Sequence, residues 1–201
     1  MAPSAAATIR AIACGEKTAV AVVTEALAAI EATDGELHSC IEVCRETSLA
    51  AAAIDANFAA GEPLGKLAGL PIVVKANLDV AGTLSTAATP ALKDWRPSSN
   101  ADCVQPLVDA GAIVIAKTNM PELAMRGGGW SSLHGICYNP RNRARCWRQQ
   151  LGNSVGNCRR VCLGGPRLGH RGFDAVASCL LWDRRYAAFP RPLAGRWLRS
   201  T

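Results

Sequence analysis

The sequence predicts an α/β fold, because Ala-rich segments with helical spacing are followed by short β-branched runs that alternate with helices. The chain has 201 residues, 49% apolar and 19% charged, a balance typical of a globular protein with a sizeable core. Two apolar runs, PIVVK (71–75) and AIVIAK (112–117), are bounded by Gly or Pro and indicate buried strands. Strands separated by a helix favour a largely parallel sheet with flanking helices.

Helix start and stop signals divide the rest of the chain. Thr18 is placed to cap a long helix, and Gly111 is placed to stop a shorter one before the second strand. Helices are predicted at four places: 18–36, 48–61, 101–111 and from Pro121. Loops are predicted at STAATPALKDW (85–95) and throughout MRGGGWSSLHGICYNP (125–140).

Charge is distributed unevenly, although the net charge is +6. Residues 1–140 hold five Lys and four Arg against fourteen acidic residues, a balance of −5. Residues 141–201 hold thirteen Arg, no Lys and two Asp, a balance of +11. An evolved basic surface usually mixes Lys with Arg, and no known binding module or interleaved aromatic pattern accompanies these arginines, so no nucleic-acid partner is expected.

Nine cysteines, an odd number, and the lack of an apolar signal segment in residues 1–20 predict a reducing, cytoplasmic compartment. Cys40 and Cys44, like Cys158 and Cys162, are four residues apart, a spacing at which a helix could hold a metal. No partner pair at ligand spacing accompanies them, so ordinary thiols are favoured and no metal or cofactor is expected. No apolar run approaches about eighteen residues, so no membrane span is predicted.

Lys75, at the end of the first apolar run, is the residue that points to chemistry. A lysine at the end of a buried strand lies where water is scarce, which favours the neutral amine and lowers its pKa. A neutral amine can act as a general base. On position alone, an ammonium that reaches solvent along its flexible stem is the simpler interpretation.

Four blocks of sequence, in a fixed order, resemble the amidase-signature family of serine-dependent amide hydrolases. They are PLGKLAGLPIVVKANLDVAG (63–82), STAATPALKDW (85–95), DAGAIVIAKTNMPELAM (109–125) and HGICYNP (134–140). The resemblance implies that residues 1–140 are the N-terminal part of an amidase-signature domain with an incomplete, mixed and largely parallel sheet. Ala76 stands where many members have Asp, and KAN with STAATPAL is more similar to the indoleacetamide and mandelamide hydrolase branch.

The resemblance also implies roles for individual residues. Lys75 matches the lysine of a Ser–Ser–Lys triad, which draws a proton from a nucleophilic serine through a bridging serine. Substrate contacts are implied at four residues: Met120, Gly128, Gly129 and Trp130. The alternatives are core packing for Met120 and packing for Trp130, while His134, in the same loop, is interpreted most simply as facing solvent.

Both serines of that triad are missing from the sequence. Where a Gly-Gly-Ser-Ser-Gly loop and an Asp-Thr-Gly-Gly-Ser stretch belong, the chain has CWRQQLGN (146–153) and RLGHRGFD (167–174). Codons read one base later permit both motifs, with the bridging serine at the position of Gln149 and the nucleophile at that of Phe173. One inserted base between Pro140 and Trp147 would therefore make residues 141–201 an out-of-frame, irregular and poorly ordered tail.

The sequence thus predicts an amidase that, in full-length form, cleaves a small-molecule carboxamide to a carboxylic acid and ammonia. The chain as written is expected to be inactive, because it lacks the nucleophile and the bridging serine. The alternative is a non-catalytic fragment that at most packs against another protein. A basic nucleic-acid binder is the third and least favoured interpretation.

Overall fold

The computed structural model of the protein describes residues 4–125 and 130–138. Along the chain the helices and strands are α1 (Ala5–Ala13), α2 (Ala19–Leu37), β1 (Cys40–Val43), α3 (Thr47–Ala59), β2 (Pro71–Lys75), α4 (Gln105–Asp109), β3 (Ile113–Thr118), β4 (Trp130–Ser131) and β5 (Gly135–Ile136). Two short 3-10 turns lie at Pro90–Leu92 and Glu122–Ala124. None of the helices in these ranges has the length and apolar character needed to cross a membrane.

The three longer strands form one mixed sheet in the order β1–β3–β2. β2 pairs with β3 in parallel, and β1 pairs with β3 in the antiparallel direction. All six residues of β3 are buried, as expected for a central strand. The α/β prediction and both predicted strands are confirmed, but among the described residues only one of the two pairings in this sheet is parallel.

A bulge in β3 decides which face of the sheet its side chains take. The register passes from Ile72 opposite Val114 to Val73 opposite Ala116, so Ile115 has no partner in β2. Consecutive residues Ile115 and Ala116 therefore both belong to the same hydrophobic cluster. Beyond the bulge, counting alternate residues from the start of β3 no longer tells which face a side chain takes.

Two hydrophobic clusters cover the sheet, and β3 contributes to both. One lies under α1, α2 and α3 and consists of Ile12, Ala19, Val22, Val23, Ile30, Ala51, Ile113, Ile115 and Ala116. The other involves β2 and α4 and consists of Leu67, Leu70, Ile72, Val74, Val80, Val104, Leu107, Ala112 and Val114. Side chains that alternate along a strand explain how one short strand serves two cores.

The helix predicted from Thr18 is confirmed, and the helix predicted at 48–61 is present as α3 although no side chain caps it. Thr18 caps α2 as predicted, because its Oγ1 accepts the backbone N–H of Ala21 at 3.1 Å. The helix predicted from Pro121 is only a single 3-10 turn. The sequence did not predict α1 or β1. The first is a nine-residue helix that is capped by Ser4 and buries Thr8 and Ile12, and the second is a four-residue strand that is only partly buried and too short to show a period.

Two segments that were predicted as loops contain short regular elements. The prediction that 125–140 is loop-like throughout was wrong, because Trp130 pairs with Ile136 and Ser131 with Gly135 in the antiparallel hairpin β4–β5. The segment 85–95 likewise contains one 3-10 turn. Two-residue strands have no hydrophobic period, so their pairing depends on contacts elsewhere in the fold.

Gly111 allows the chain entering β3 to lie directly against the chain entering β2. Its φ is +93°, and a Cβ at this position would lie 2.8 Å from the Cα of Ala68. The carbonyl of Gly111 also accepts the N–H of Gly69 at 3.0 Å. A side chain here would therefore clash with backbone and strain its own φ.

We expect Gly111→Ala to lower the free energy of unfolding by at least about 2 kcal/mol, since it combines a left-handed backbone with a backbone clash. Gly35→Ala is the matched control. Gly35 lies inside α2 with nothing within 4 Å of an added Cβ, so alanine should stabilise the helix by about 0.5–1 kcal/mol. Denaturant unfolding followed by circular dichroism measures both changes, and equal effects would contradict this account of Gly111.

Candidate functional site

The carboxyl ends of the parallel strands β2 and β3 lie side by side, which is where open α/β sheets usually carry their sites. β2 ends at Lys75, and its register partner at the end of β3 is Thr118. Asn119 and Met120 follow β3 directly and are both buried. This end of the sheet therefore brings Lys75 next to the residues that follow the second predicted strand.

Lys75 is buried at the end of β2, with only 8% of its surface exposed. The side chain is therefore packed into the protein and does not extend freely into solvent. Burial lowers the pKa of the amine, because the charged form loses its hydration. Among residues 4–125 and 130–138, its Nζ has no hydrogen bond or ion pair. Once neutral, this amine has a lone pair available to accept a proton.

Lys117 is a second buried lysine, at a position that the sequence motifs did not single out. It is fully buried, and its Nζ donates hydrogen bonds to the carbonyl oxygen of Leu78 and, at 3.0 Å, to Oγ of Ser85. Burial lowers the pKa of Lys117 to about 8, although the charge of Asp79 opposes that shift. The sequence did contain a signal for this second buried lysine, since both predicted apolar runs end in a lysine.

The two lysines lie on opposite faces of the sheet. Lys117 is the register partner of Val74, whereas Lys75 is that of Thr118, and neighbouring residues of a strand point to opposite faces. Neither lysine is among the causes that shift the pKa of the other. The protons of Lys117 are engaged in hydrogen bonds, so of the two amines only that of Lys75 is free for chemistry.

The segment after β2 returns to the end of the strand that carries Lys75. The N–H of Ala87 donates to the carbonyl of Ala76 at 3.0 Å. Ala87 and Ala88 have φ values of 45° and 57°, a left-handed conformation that is unfavourable for residues with a Cβ. Strain that surrounding contacts hold in place is common in loops at functional sites.

The β4–β5 hairpin is hydrogen-bonded to this strained loop. Ser131 Oγ donates to the carbonyl of Ala88 at 3.0 Å, and Thr86 Oγ1 is hydrogen-bonded to Nε2 of His134 at 3.0 Å. Burial lowers the pKa of His134. His134 is thus partly buried and bonded to a neighbouring loop, which corrects the interpretation that it faces solvent.

The remaining predicted site residues have different environments. Met120 is 1% exposed and lies in a small cluster with Ala76 and Ala88, immediately next to the end of β2. Trp130 is 48% exposed on β4, so it is not a core residue. Four of the positions that the sequence singled out lie outside the described residues: Gly128, Gly129, Gln149 and Phe173.

The cysteines spaced four apart near the N-terminus lie in and after β1, not on a helix. Burial, reinforced by the charge of Asp34, raises the pKa of Cys40 to about 12. Burial and Glu42 raise that of Cys44 to about 11. Thiols held in the protonated form are poor nucleophiles and ligands. In the described part of the chain, no group of three or more His, Cys, Asp or Glu could hold a metal; Cys158 and Cys162 lie outside it.

The chain resembles known proteins over most of its described length. A family model described as Amidase matches residues 21–154. The glutamyl-tRNA(Gln) amidotransferase subunit of Nostoc punctiforme is 40% identical over 131 residues, and that of Salinispora tropica is 41% identical over 135. The crystal structure of a native peptide amidase from Stenotrophomonas maltophilia superimposes with a TM-score of 0.74 at 29% identity, covering 79% of this chain.

These matches involve only a fraction of each relative. The alignments cover 65% and 67% of this chain but 27% and 28% of the two amidotransferase subunits. The structural match covers 34% of the peptide amidase. The chain therefore spans roughly a quarter to a third of the length of the relatives that it resembles.

We expect Lys117 to make stability depend on pH above 8. Its pKa of about 8 lies below the ordinary 10.5, so between these values the unfolded chain holds a proton that the folded chain has released. The free energy of unfolding then rises with pH, by up to about 1.4 kcal/mol per unit. Lys117→Met cannot titrate and should lose this rise in denaturant titrations at pH 8 and pH 9.

Comparison of the variant with the parent chain between pH 8 and 9 separates this effect from those of other groups. Cys40 and Cys44 have raised folded-state pKa values, so they begin to reduce stability as pH approaches their ordinary value of 9.0. Lys75, whose pKa is lowered, contributes with the same sign as Lys117, which is why the variant must be compared with the parent chain. Lys93→Met, at a side chain 65% exposed, is the control and should keep the rise. An equal rise in Lys117→Met and the parent would contradict the prediction.

Proposed function

The chain belongs to the amidase family, and from that premise we propose that it is the lysine-bearing part of an enzyme that hydrolyses carboxamides. The observation that carries the proposal is the environment of Lys75. Its amine is buried at the carboxyl end of β2, has a lowered pKa and has no hydrogen-bond partner in the described residues. An amine in that state is better suited to act as a general base than a solvent-exposed lysine.

The proposed reaction needs two serines in addition to Lys75. Neutral Lys75 takes a proton from the bridging serine while that serine takes the proton of the nucleophile, whose oxygen attacks the amide carbonyl. Backbone N–H groups stabilise the oxyanion. The nitrogen leaves as ammonia after gaining the proton that Lys75 holds, and water then releases the acid from the acyl-enzyme.

We infer that the gene encodes both serines but that this polypeptide lacks them, because the region is translated in a different reading frame. The positions of Gln149 and Phe173 would encode the bridging serine and the nucleophile if the reading frame moved by one base after Pro140. The family match continues fourteen residues past Pro140, through Gln149, and ends at residue 154, before Phe173 is reached. The thirteen arginines and absent lysines of residues 141–201 fit a segment translated out of frame. Residues 1–140 would then be the part of the domain that is translated in frame.

An arylacetamide is the proposed substrate class. The KAN sequence after β2 is more similar to the indoleacetamide and mandelamide hydrolase branch, and Trp130, about half exposed on the docked hairpin, supplies an aromatic surface. Met120, Gly128 and Gly129 complete the proposed substrate contacts. The relatives' names specify a peptide amidase and a tRNA-linked amidotransferase, so the branch is decided by assay.

We expect the chain as written to release no ammonia from simple arylacetamides. A version of the gene with one base removed between the codons of Pro140 and Trp147 should hydrolyse them, and Lys75→Met in that version should lower kcat/KM by at least about a thousandfold. Ammonia release measures both. Lys93→Met, at an exposed lysine, is the matched control and should leave kcat/KM unchanged.

Three results would overturn parts of this proposal. Turnover by the chain as written that disappears in Lys75→Met would show that serines at codons 149 and 173 are not required. If sequencing of the genomic DNA finds no extra base between the codons of Pro140 and Trp147, the proposed change of reading frame is wrong. Retained activity in the Lys75→Met form of the frame-corrected chain would remove Lys75 from the role of base.

A non-catalytic chain that acts through protein contact is the second candidate. It is favoured by the exposed apolar side chains of Leu92 and Trp95, 39% and 51% exposed, in the segment between β2 and α4. The amidotransferase relatives are named as subunits, which is consistent with a surface for a partner. An intact reading frame together with no turnover would favour this candidate over the first.

A further inference from the structure

Lys117 lies on the opposite face of the sheet from Lys75, yet it is bonded to the turn through which the chain leaves Lys75. We propose that Lys117 is a positioning residue for Lys75, fixing that turn through the carbonyl of Leu78. The proposal rests on the proposed function, since that function makes the placement of Lys75 matter.

The turn after β2 is held at both of its ends by hydrogen bonds. The N–H of Leu78 donates to the carbonyl of Lys75 at 2.9 Å, and the N–H of Ala76 donates to the carbonyl of Thr118 at 3.1 Å. The carbonyl of Leu78 in turn accepts the Nζ of Lys117. Leu78 is thus bonded to Lys75 through its N–H and to Lys117 through its carbonyl, so a single residue connects the two lysines.

Ser85 completes a small polar group around the ammonium. Lys117 Nζ lies 3.0 Å from Ser85 Oγ, and Ser85 Oγ itself donates to the carbonyl of Leu78 at 3.4 Å. Ser85 is 4% exposed, so water does not compete freely for these bonds. Because Thr86 follows and is bonded to His134, the same group also fixes the start of the loop on which the hairpin docks.

Charges from β1 hold the same segment at a second point. Glu42 is the register partner of Lys117, and its carboxylate accepts the N–H of Leu84 at 2.5 Å and Nη1 of Arg96 at 2.7 Å. Arg96 Nη1 also donates to the carbonyl of Gly82 at 2.7 Å. Lys117 and Glu42 lie side by side on β3 and β1. Both bind the segment 78–85, Lys117 as a hydrogen-bond donor and Glu42 as an acceptor.

The buried position of Lys117 favours positioning over catalysis. Its residue surface is 0% exposed, and its Nζ hydrogen bonds go to two groups of the same segment. A methionine of similar length would fill the space but remove the Nζ donor from both groups, leaving the carbonyl of Leu78 with only the long 3.4 Å bond from Ser85 Oγ. Buried polar groups without partners favour conformations in which water can reach them, so the turn should open.

The test uses the full chain with ¹³C at the ε-carbons of its five lysines, whose NMR titrations report each amine separately. Lys117→Met should raise the pKa of Lys75 towards its ordinary value by at least about half a unit, because an opened turn admits water. Exchange of the Leu78 and Ala87 amides should quicken by at least about tenfold, with α2 unchanged. Lys93→Met is the control and should change neither. A purely structural role would lower overall stability without moving the titration of Lys75.

Ser85→Ala is the second variant and keeps the proposal testable if circular dichroism shows that Lys117→Met does not fold. It removes one of the two acceptors, so it should change the Lys75 titration and the Leu78 exchange in the same direction but less. An unchanged Lys75 titration with unchanged Leu78 exchange, in whichever of the two variants folds, overturns the proposal. If the frame-corrected chain fails to hydrolyse amides, the proposed function fails, but the Lys75 titration and the Leu78 exchange can still be measured. Failure of the proposed function is therefore distinguishable from failure of the positioning role of Lys117.

Discussion

The pairing of β3 with a strand on each side is the constraint on which the rest of the described structure depends. β3 is buried along its whole length, so its backbone must be hydrogen-bonded on both edges, by β2 on one side and β1 on the other. The bulge at Ile115 sits within this pairing and reverses the faces of the residues after it. Lys117 consequently lies on the Val74 face and away from Lys75.

Two lysines at equivalent ends of neighbouring strands have thereby acquired different chemistry. Desolvation lowers the pKa of both, but Lys117 is surrounded by hydrogen-bond acceptors and negative groups, whereas Lys75 has none that it bonds to in the described residues. The first can remain a bonded cation near neutral pH. Desolvation lowers the pKa of the second, and it forms no hydrogen bond or ion pair in the described residues that would stabilise its charged form. A family comparison identifies the segment, and this difference in environment separates the two amines.

The local signals that succeeded are those that depend on neighbouring residues along the chain. Thr18 marks the start of α2 because its side chain bonds to a backbone N–H three residues later. The apolar runs before Lys75 and Lys117 mark strands because continuous burial on both faces needs continuous apolar residues. β1 and the β4–β5 hairpin had no such signal. Two to four residues carry no period, and they become strands only because a distant segment supplies the pairing.

The sequence by itself determined the α/β class, the two strands, the family and the position of Lys75, because each is written in consecutive residues or in ordered blocks of them. The sequence also located, after Pro140, the point at which the net charge and the composition of the chain change. Only the tertiary structure decided that Lys75 is buried without a bonded partner in the described residues and that Lys117 is tied to the turn beyond it. Both outcomes depend on a bulge and on contacts between residues about forty positions apart in the chain, such as Lys117 and Leu78, which no local pattern encodes.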